Sequence, residues 1–172
     1  MKVIKSISFL VVLLLFFNCD NISQTNNQLV VNIDAVIQKS DSINVYYTMS
    51  KDINFTDTLS FWKKVNGSKK NQKIEIVFPD SIQPKQIRLD FGRNIKQPDI
   101  VINKISISYK KKSITLQAKE IFYTFRIDES NTVFDKLTGS IRRKNPKQLI
   151  GPSLYPKGDK LYKKLNQLYS VN

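Results

Sequence analysis

The chain contains no histidine. Histidine is the commonest general base and zinc ligand of proteins, so its absence excludes Ser-His-Asp and Cys-His nucleophiles and most zinc sites. Only five glycines are present, and no Gly-x-Gly-x-x-Gly, Walker or Gly-x-Ser-x-Gly motif occurs, which leaves little material for a phosphate-binding loop. We therefore expect a protein that is not an enzyme and that uses no cofactor and no metal.

Two weaker chemical alternatives remain open. A glycosidase uses two carboxylates that flank the scissile bond, and no spacing in the sequence shows which two acids would share a cleft. The candidates are Asp90, Asp99, Glu120, Asp128 and Glu129. A calcium loop is the second alternative, because Asp52, Asn54 and Asp57 alternate in a polar stretch, although this stretch lacks the glycine and the terminal glutamate of an EF-hand loop. Solvated acids in a lysine-rich chain are the simpler interpretation of both sets.

Cysteine occurs once, at position 19, directly after an apolar segment. Lys2 and Lys5 precede an apolar run over residues 7–17, interrupted only by Ser8, and this arrangement is typical of a secretory signal. The run is short for a membrane-spanning helix, which needs about 20 apolar residues, and the polar stretch after it is typical of a flexible tether. A lone thiol in an exported protein has no intramolecular disulfide partner and needs another reason for its presence.

The three residues before Cys19, Phe-Phe-Asn, complete a segment that resembles the N-terminus of bacterial lipoprotein precursors. The resemblance implies a signal peptide over residues 1–18, lipidation of Cys19 with diacylglycerol and an acyl chain such as palmitate, and a polar tether over residues 19–28. It also implies export and anchoring to a bacterial membrane, with the outer membrane favoured and the leaflet open. Two or three acyl chains hold a protein far more firmly than one. A secreted protein with an incidental cysteine and an uncleaved N-terminal anchor are the alternatives.

The mature chain is strongly basic. Removing Lys2 and Lys5 from the 28 lysines and arginines leaves 26 against 14 acidic residues, a net charge of about +12. Such a surface attracts polyanions, which include lipid headgroups, acidic glycans and nucleic acid. Because an exported, tethered protein rarely meets nucleic acid, we expect no nucleic-acid partner. An AT-rich genome, which raises lysine content, is an alternative reason for the charge.

Beyond the tether, apolar residues recur in short alternating or β-branched runs, a pattern typical of half-buried strands. Turn residues separate these runs at a spacing of roughly 8–12 residues, with no helical pattern between them, which predicts an antiparallel all-β sandwich. We expect the sandwich domain to cover residues 29–157. The candidate strands are 29–37, 43–49, 59–65, 73–78, 86–91, 100–109, 113–117, 122–127, 132–134 and 140–142.

The segment 158–172 differs from the rest because its apolar residues fall at helical spacing. These residues are Leu161, Leu165, Leu168 and Tyr169. We expect a short amphipathic C-terminal helix that has Asp159 as its capping residue and packs on the edge of the sandwich.

Four segments in the middle of the chain combine strand and turn residues in a distinctive order. They are 64–68 (KVNGS), 72–79 (QKIEIVFP), 87–92 (IRLDFG) and 100–108 (IVINKISIS). Over about residues 40–120 the chain resembles a jelly-roll β-sandwich module of bacterial cell-envelope proteins, similar in outline to galactose-binding-like carbohydrate-binding domains. The resemblance implies a jelly-roll-like sandwich. It says less about a ligand, because one sandwich hosts many unrelated functions.

Arg88 and Asp90 lie two residues apart within this pattern, so they share one face of a strand while Leu89 points inward. A structural charge pair is one interpretation of Arg88 and Asp90, and a ligand contact is the other. Adjacent aromatic residues on a strand likewise point to opposite faces, which predicts outward rings at Tyr46, Trp62 and Tyr123. Beside basic residues, such rings would stack on a sugar or on another protein. Packing against the sheet is the alternative for each ring.

These features predict a lipid-anchored, non-catalytic cell-envelope protein that binds a glycan. The candidate ligand-binding residues are Tyr46, Trp62, Arg88, Asp90 and Tyr123. The alternative is an interaction or assembly lipoprotein that docks onto an envelope protein complex through a sheet edge or the C-terminal helix. A glycan-binding module should present exposed rings with convergent polar groups, whereas an assembly factor should present a larger apolar patch or an open edge.

Overall fold

The computed structural model describes residues 27–170, which form two antiparallel sheets and confirm the predicted all-β sandwich with a short C-terminal helix. The predicted signal peptide 1–18, Cys19 and most of the tether 19–28 lie outside the described residues. The described helices are α1 (Lys119–Thr124) and α2 (Lys160–Tyr169), and a 3-10 turn spans Asp57–Leu59. The strands are β1 (Leu29–Val36), β2 (Asp41–Thr48), β3 (Ser60–Val65), β4 (Gln72–Val77), β5 (Gln86–Phe91), β6 (Ile100–Tyr109), β7 (Lys112–Gln117), β8 (Phe125–Ile127), β9 (Thr132–Asp135), β10 (Ser140–Arg143) and β11 (Ser153–Pro156).

The first sheet has the strand order β4, β1, β6, β10, β9, and β7 also pairs with β6. β1 covers one edge of β6 along its length. The other edge of β6 is shared, because β10 pairs with Ile100 and Val101 and β7 pairs from Lys104 onward. Ile102 and Asn103 therefore have no strand partner on that edge.

The second sheet has the strand order β3, β2, β5, β11, β8. The short strand β11, which the sequence pattern did not predict, lies between β5 and β8. Gly151 allows the chain to enter this position, since a Cβ atom there would lie 1.8 Å from the carbonyl oxygen of Phe91. The next residue fixes the approach, because the Phe91 N–H donates a hydrogen bond of 2.8 Å to the carbonyl of Pro152.

Alternate residues of the central strands face inward and form the core. In β1 the inward residues Leu29, Val31 and Ile33 are at most 1% exposed, and burying a side chain of this size stabilises the fold by roughly 1.5–3 kcal/mol. The buried apolar residues of the core cluster all lie between Leu29 and Leu168. A chain that begins at Asn21 therefore keeps every contact of the described core and is expected to fold alone.

Helix α2 closes the sandwich against β5 of the second sheet and β6 and β7 of the first. Leu161, Leu165 and Leu168 are buried, as the helical spacing predicted. The prediction that Asp159 caps this helix is right in position and wrong in contact. Asp159 occupies the N-cap position but makes no side-chain capping hydrogen bond. Its carboxylate instead lies 2.9 Å from Lys163 Nζ, one turn along the helix. No helix of residues 27–170 is long and apolar enough to cross a membrane.

The predicted strand 122–127 is wrong in its first half, where helix α1 stands. The chain turns sharply at Ala118, whose φ is +45°, and this turn ends the extended conformation of β7. Ile121 and Thr124 then fall three residues apart and both face the core, so a single helical segment satisfies burial better than a strand would. β8 begins only at Phe125.

Candidate functional site

Four of the five predicted ligand residues lie together on the outer face of the second sheet. The strand register places Tyr46 opposite Arg88, and Asn44 opposite both Trp62 and Asp90. The intervening residues of β2 and β5 point into the core. We name this surface the aromatic-arginine face, and it comprises Asn44, Tyr46, Trp62, Arg88, Asp90, Arg126 and Tyr155.

A row of alternating rings and cations crosses this face. The guanidinium carbon of Arg88 lies 4.7 Å from the ring centre of Tyr46 and 4.2 Å from that of Tyr155. The guanidinium carbon of Arg126 lies 4.9 Å from the Tyr155 ring. Cation-π contacts at such distances contribute about 0.5–2 kcal/mol each. They stabilise the positions of these side chains across the four neighbouring strands β2, β5, β11 and β8.

The charge pair between Arg88 and Asp90, one of the two interpretations of this motif, is present. Arg88 Nε donates to Asp90 Oδ1 at 2.8 Å, and Nη2 donates to Oδ2 at 2.6 Å. Burial lowers the pKa of Arg88, but the hydrogen bond and charge of Asp90 raise it by more, so the guanidinium pKa lies above its ordinary value. The two-point contact fixes the plane of the guanidinium.

The Tyr46 hydroxyl donates a hydrogen bond of 3.0 Å to Asp57 Oδ1. Phe55, from the same loop as Asp57, packs edge-on against Tyr46 and Tyr155, with ring centres 6.5 and 6.0 Å apart. Burial, followed by the hydrogen bond to Asp57, raises the pKa of Tyr46, and burial raises that of Tyr155. Both phenols therefore keep their protons at neutral pH.

Asn44 is a buried polar residue of this face with an incomplete set of hydrogen bonds. It is 5% exposed, and its side-chain oxygen has no hydrogen-bond partner. A buried acceptor left without a partner costs about 1–3 kcal/mol. In the strand register, Asn44 lies between Trp62 and Asp90.

Trp62 lies at the margin of the face, on the edge strand β3. Its side chain is 45% exposed, and the guanidinium carbon of Arg93 lies 4.6 Å from its ring. The backbone N–H of Arg93 donates to Asp41 Oδ1 at 2.8 Å, which fixes the loop that carries this arginine. The face therefore has an open ring and an exposed cation at one side.

Tyr123, the fifth predicted ligand residue, lies apart from this face. It stands on helix α1 and is 60% exposed. Lys160 Nζ lies 3.3 Å from its ring centre. The prediction that Tyr123 alternates outward along a strand is wrong, since α1 replaces the strand there.

Sequence reasoning missed Asn44, Arg126 and Tyr155. The sequence could have predicted that Arg126 points outward, because it lies between the apolar residues Phe125 and Ile127 in a predicted strand. The sequence gives little indication of the position of Tyr155, because its strand is four residues long and ends in proline. Only the insertion of β11 beside β5 brings the Tyr155 ring to Arg88.

Among the acids considered for catalysis, Asp128 and Glu129 line one hollow of about 630 Å³. The Asp128 carboxylate holds the turn into β9, accepting hydrogen bonds from the Ser130 N–H at 3.0 Å and the Ser130 hydroxyl at 2.6 Å. Asp99 accepts a hydrogen bond of 3.2 Å from Ser140. These contacts are structural, and adjacent acids on one turn do not flank a bond as glycosidase carboxylates do.

The stretch considered for calcium also makes other contacts. The carboxylate of Asp57 accepts the Tyr46 hydroxyl, and the carbonyl of Asp52 accepts the Thr48 hydroxyl at 3.0 Å. Within residues 27–170 no three acid or cysteine side chains lie close enough to hold a metal ion.

The arrangement of the aromatic-arginine face suits non-covalent recognition, because it combines partly exposed rings with fixed donors and an unsatisfied acceptor. Comparison of the chain with protein-family models, with curated proteins and with solved structures gave no match.

Proposed function

We propose that this chain is a lipid-anchored, non-catalytic cell-envelope protein whose aromatic-arginine face binds a glycan. The observation that carries the proposal is the gathering of three rings, Tyr46, Trp62 and Tyr155, on one sheet face beside the Arg88–Asp90 pair. Rings offer flat apolar surface to the C–H face of a sugar, and polar groups beside them orient its hydroxyls. Trp62 is the most exposed of the three rings, at 45%, and offers the most surface for such a contact.

The charge of the face favours an acidic glycan. Arg93 and Arg126 are exposed at opposite sides of it, and arginine pairs with carboxylates and sulfates through two parallel hydrogen bonds. The basic surface of the whole chain adds a long-range attraction that salt weakens. We therefore expect affinity to fall as ionic strength rises.

The first testable prediction concerns Trp62. Replacing Trp62 by alanine is expected to weaken glycan binding about tenfold, because an aromatic contact contributes about 0.5–1.5 kcal/mol beyond the area it buries. The ligand is first found on a glycan array with the chain from Asn21 onward, and its affinity is then measured by titration calorimetry.

Tyr123→Ala is the matched control, since this ring is also exposed but lies off the face. Its affinity should equal that of the parent chain. Equal losses in the two variants would contradict the assignment of the face. Failure to bind any glycan, together with co-purification of one defined envelope protein, would support the docking alternative.

Two kinds of surface named for the docking alternative, the C-terminal helix and the edges formed by β3 and β4, are poorly suited to it. Helix α2 uses its leucines in the core, so it offers no free apolar stripe. The edge strands β3 and β4 carry exposed Lys64 and Lys73, and charged side chains on an edge discourage pairing with another strand.

The anchor proposal makes a second prediction. Cells grown with an alkyne-tagged fatty acid are expected to label the parent chain, and Cys19→Ala is expected to remove the label because no other cysteine exists. An immunoblot confirms that both chains are present in equal amount. Label that persists in Cys19→Ala would show that position 19 is not lipidated.

A further inference from the structure

A groove of about 760 Å³ opens where β7 and β10 part along β6. Its lining includes Ile102 and Asn103, the two residues of β6 without a strand partner on this edge. Helix α1 and the turn between β9 and β10 supply further lining residues. The groove is a gap in the first sheet and shares no residue with the aromatic-arginine face.

The inner lining of the groove is apolar. The rings of Phe122 and Phe134 have centres 3.9 Å apart, and both remain partly exposed. Ile102 lies beside them and is 4% exposed. At the rim, the side chain of Leu137 is 97% exposed. The volume of the groove falls within the range of about 300–1,000 Å³ that small-molecule sites occupy.

The charged lining residues of the groove are all of one sign. They are Lys119, Lys136 and Lys157, and no acid lines the groove. All three side chains are exposed, and several cations around one hollow attract an anion. The neighbouring hollow shares Lys136 and Lys157 with the groove and also contains Asp128 and Glu129.

We propose that this groove binds a single-chain amphiphile with a carboxylate head group, of the fatty-acid class. The acyl chain lies over Phe122, Phe134 and Ile102, and the carboxylate meets the lysines at the rim. An extended peptide is a poorer occupant, because only two residues of β6 are open and strand addition needs a longer edge. The inference rests on the groove alone and does not depend on glycan binding.

The test uses the chain from Asn21 onward and laurate below the concentration at which it forms micelles. Calorimetry is expected to give saturable binding of one laurate, and amide NMR shifts are expected at the groove residues. Lys119→Glu with Lys136→Glu should weaken binding about tenfold or more, since charge-assisted contacts become repulsive. Octanoate should bind at least about tenfold more weakly than laurate, because each buried methylene contributes about 0.8 kcal/mol.

Lys70→Glu with Lys111→Glu is the matched control, because it changes the net charge equally at exposed positions outside the groove. Its laurate affinity should stay within about twofold of the parent. Equal weakening in both double variants would overturn the proposal, as it would show attraction to overall charge only. Binding to anionic phospholipid vesicles without binding of monomeric laurate would also overturn it, as would NMR shifts confined to the second sheet.

Discussion

Phe78→Ala is expected to lower the free energy of unfolding by about 3–5 kcal/mol, the usual cost of truncating a fully buried phenylalanine. Phe78 is 0% exposed and follows β4 of the first sheet. Its ring packs edge-on against Phe61 and Tyr47 of the second sheet, with centres 5.2 and 5.7 Å apart. Alanine would leave a cavity between the two sheets. Urea denaturation monitored by circular dichroism measures the loss.

Val77→Ala provides the comparison for this prediction. Val77 is the preceding residue, points to the opposite side of the strand and is 40% exposed. Its truncation should cost less than about 1 kcal/mol. Similar losses for Val77 and Phe78 would show that this corner of the sandwich does not hold the two sheets together.

Asp90→Ala is expected to lower the free energy of unfolding by about 2–3 kcal/mol, because it leaves a largely buried guanidinium without its two hydrogen bonds. The side chains of Arg88 and Asp90 are only 17% and 10% exposed. The same change should weaken glycan binding, since the Arg88 plane is no longer fixed between Tyr46 and Tyr155. Thermal and urea unfolding report the first effect, and calorimetry reports the second.

The pair between Asp34 and Lys104 on the first sheet is the control for Asp90. Its atoms approach as closely, at 2.7 Å, but its lysine and aspartate side chains are 38% and 18% exposed, against 17% and 10% for Arg88 and Asp90. Solvent-exposed pairs contribute about 0–1 kcal/mol, so Asp34→Ala should be mild and should leave glycan binding unchanged. If Asp34→Ala were as destabilising as Asp90→Ala, burial would not be what makes the Arg88 pair important.

Local sequence periodicity predicted the elements that depend on local burial. The alternation around Val31 and Ile33 gives β1, and the leucines at 161, 165 and 168 give α2, because each pattern repeats over enough residues to define a face. β11 escaped this reasoning because it has only four residues, follows Pro152 directly and ends in a proline of its own. Such a strand forms only when β5 and β8 are already placed to accept it.

The candidate site also combines contacts that local sequence predicts with contacts that it does not. The contact between Arg88 and Asp90 spans two residues and could be read from the sequence, because both side chains share a strand face. The contact of Tyr155 with Arg88 joins residues far apart in the chain, and no periodicity encodes it. The predicted capping role of Asp159 was wrong. An aspartate at that position can either cap the helix or pair with Lys163, and spacing alone does not distinguish the two.

The place of β11 has a consequence for the order in which the chain becomes a folded protein. Residues 153–156 complete the second sheet from within, between β5 and β8, so the sheet cannot close while the chain is still being synthesised through its middle. Until then, both neighbouring strands present an unpaired edge, which is a template for misassembly. We therefore expect the second sheet to close only after β11 has emerged, so that its final structure depends on a late and distant contact.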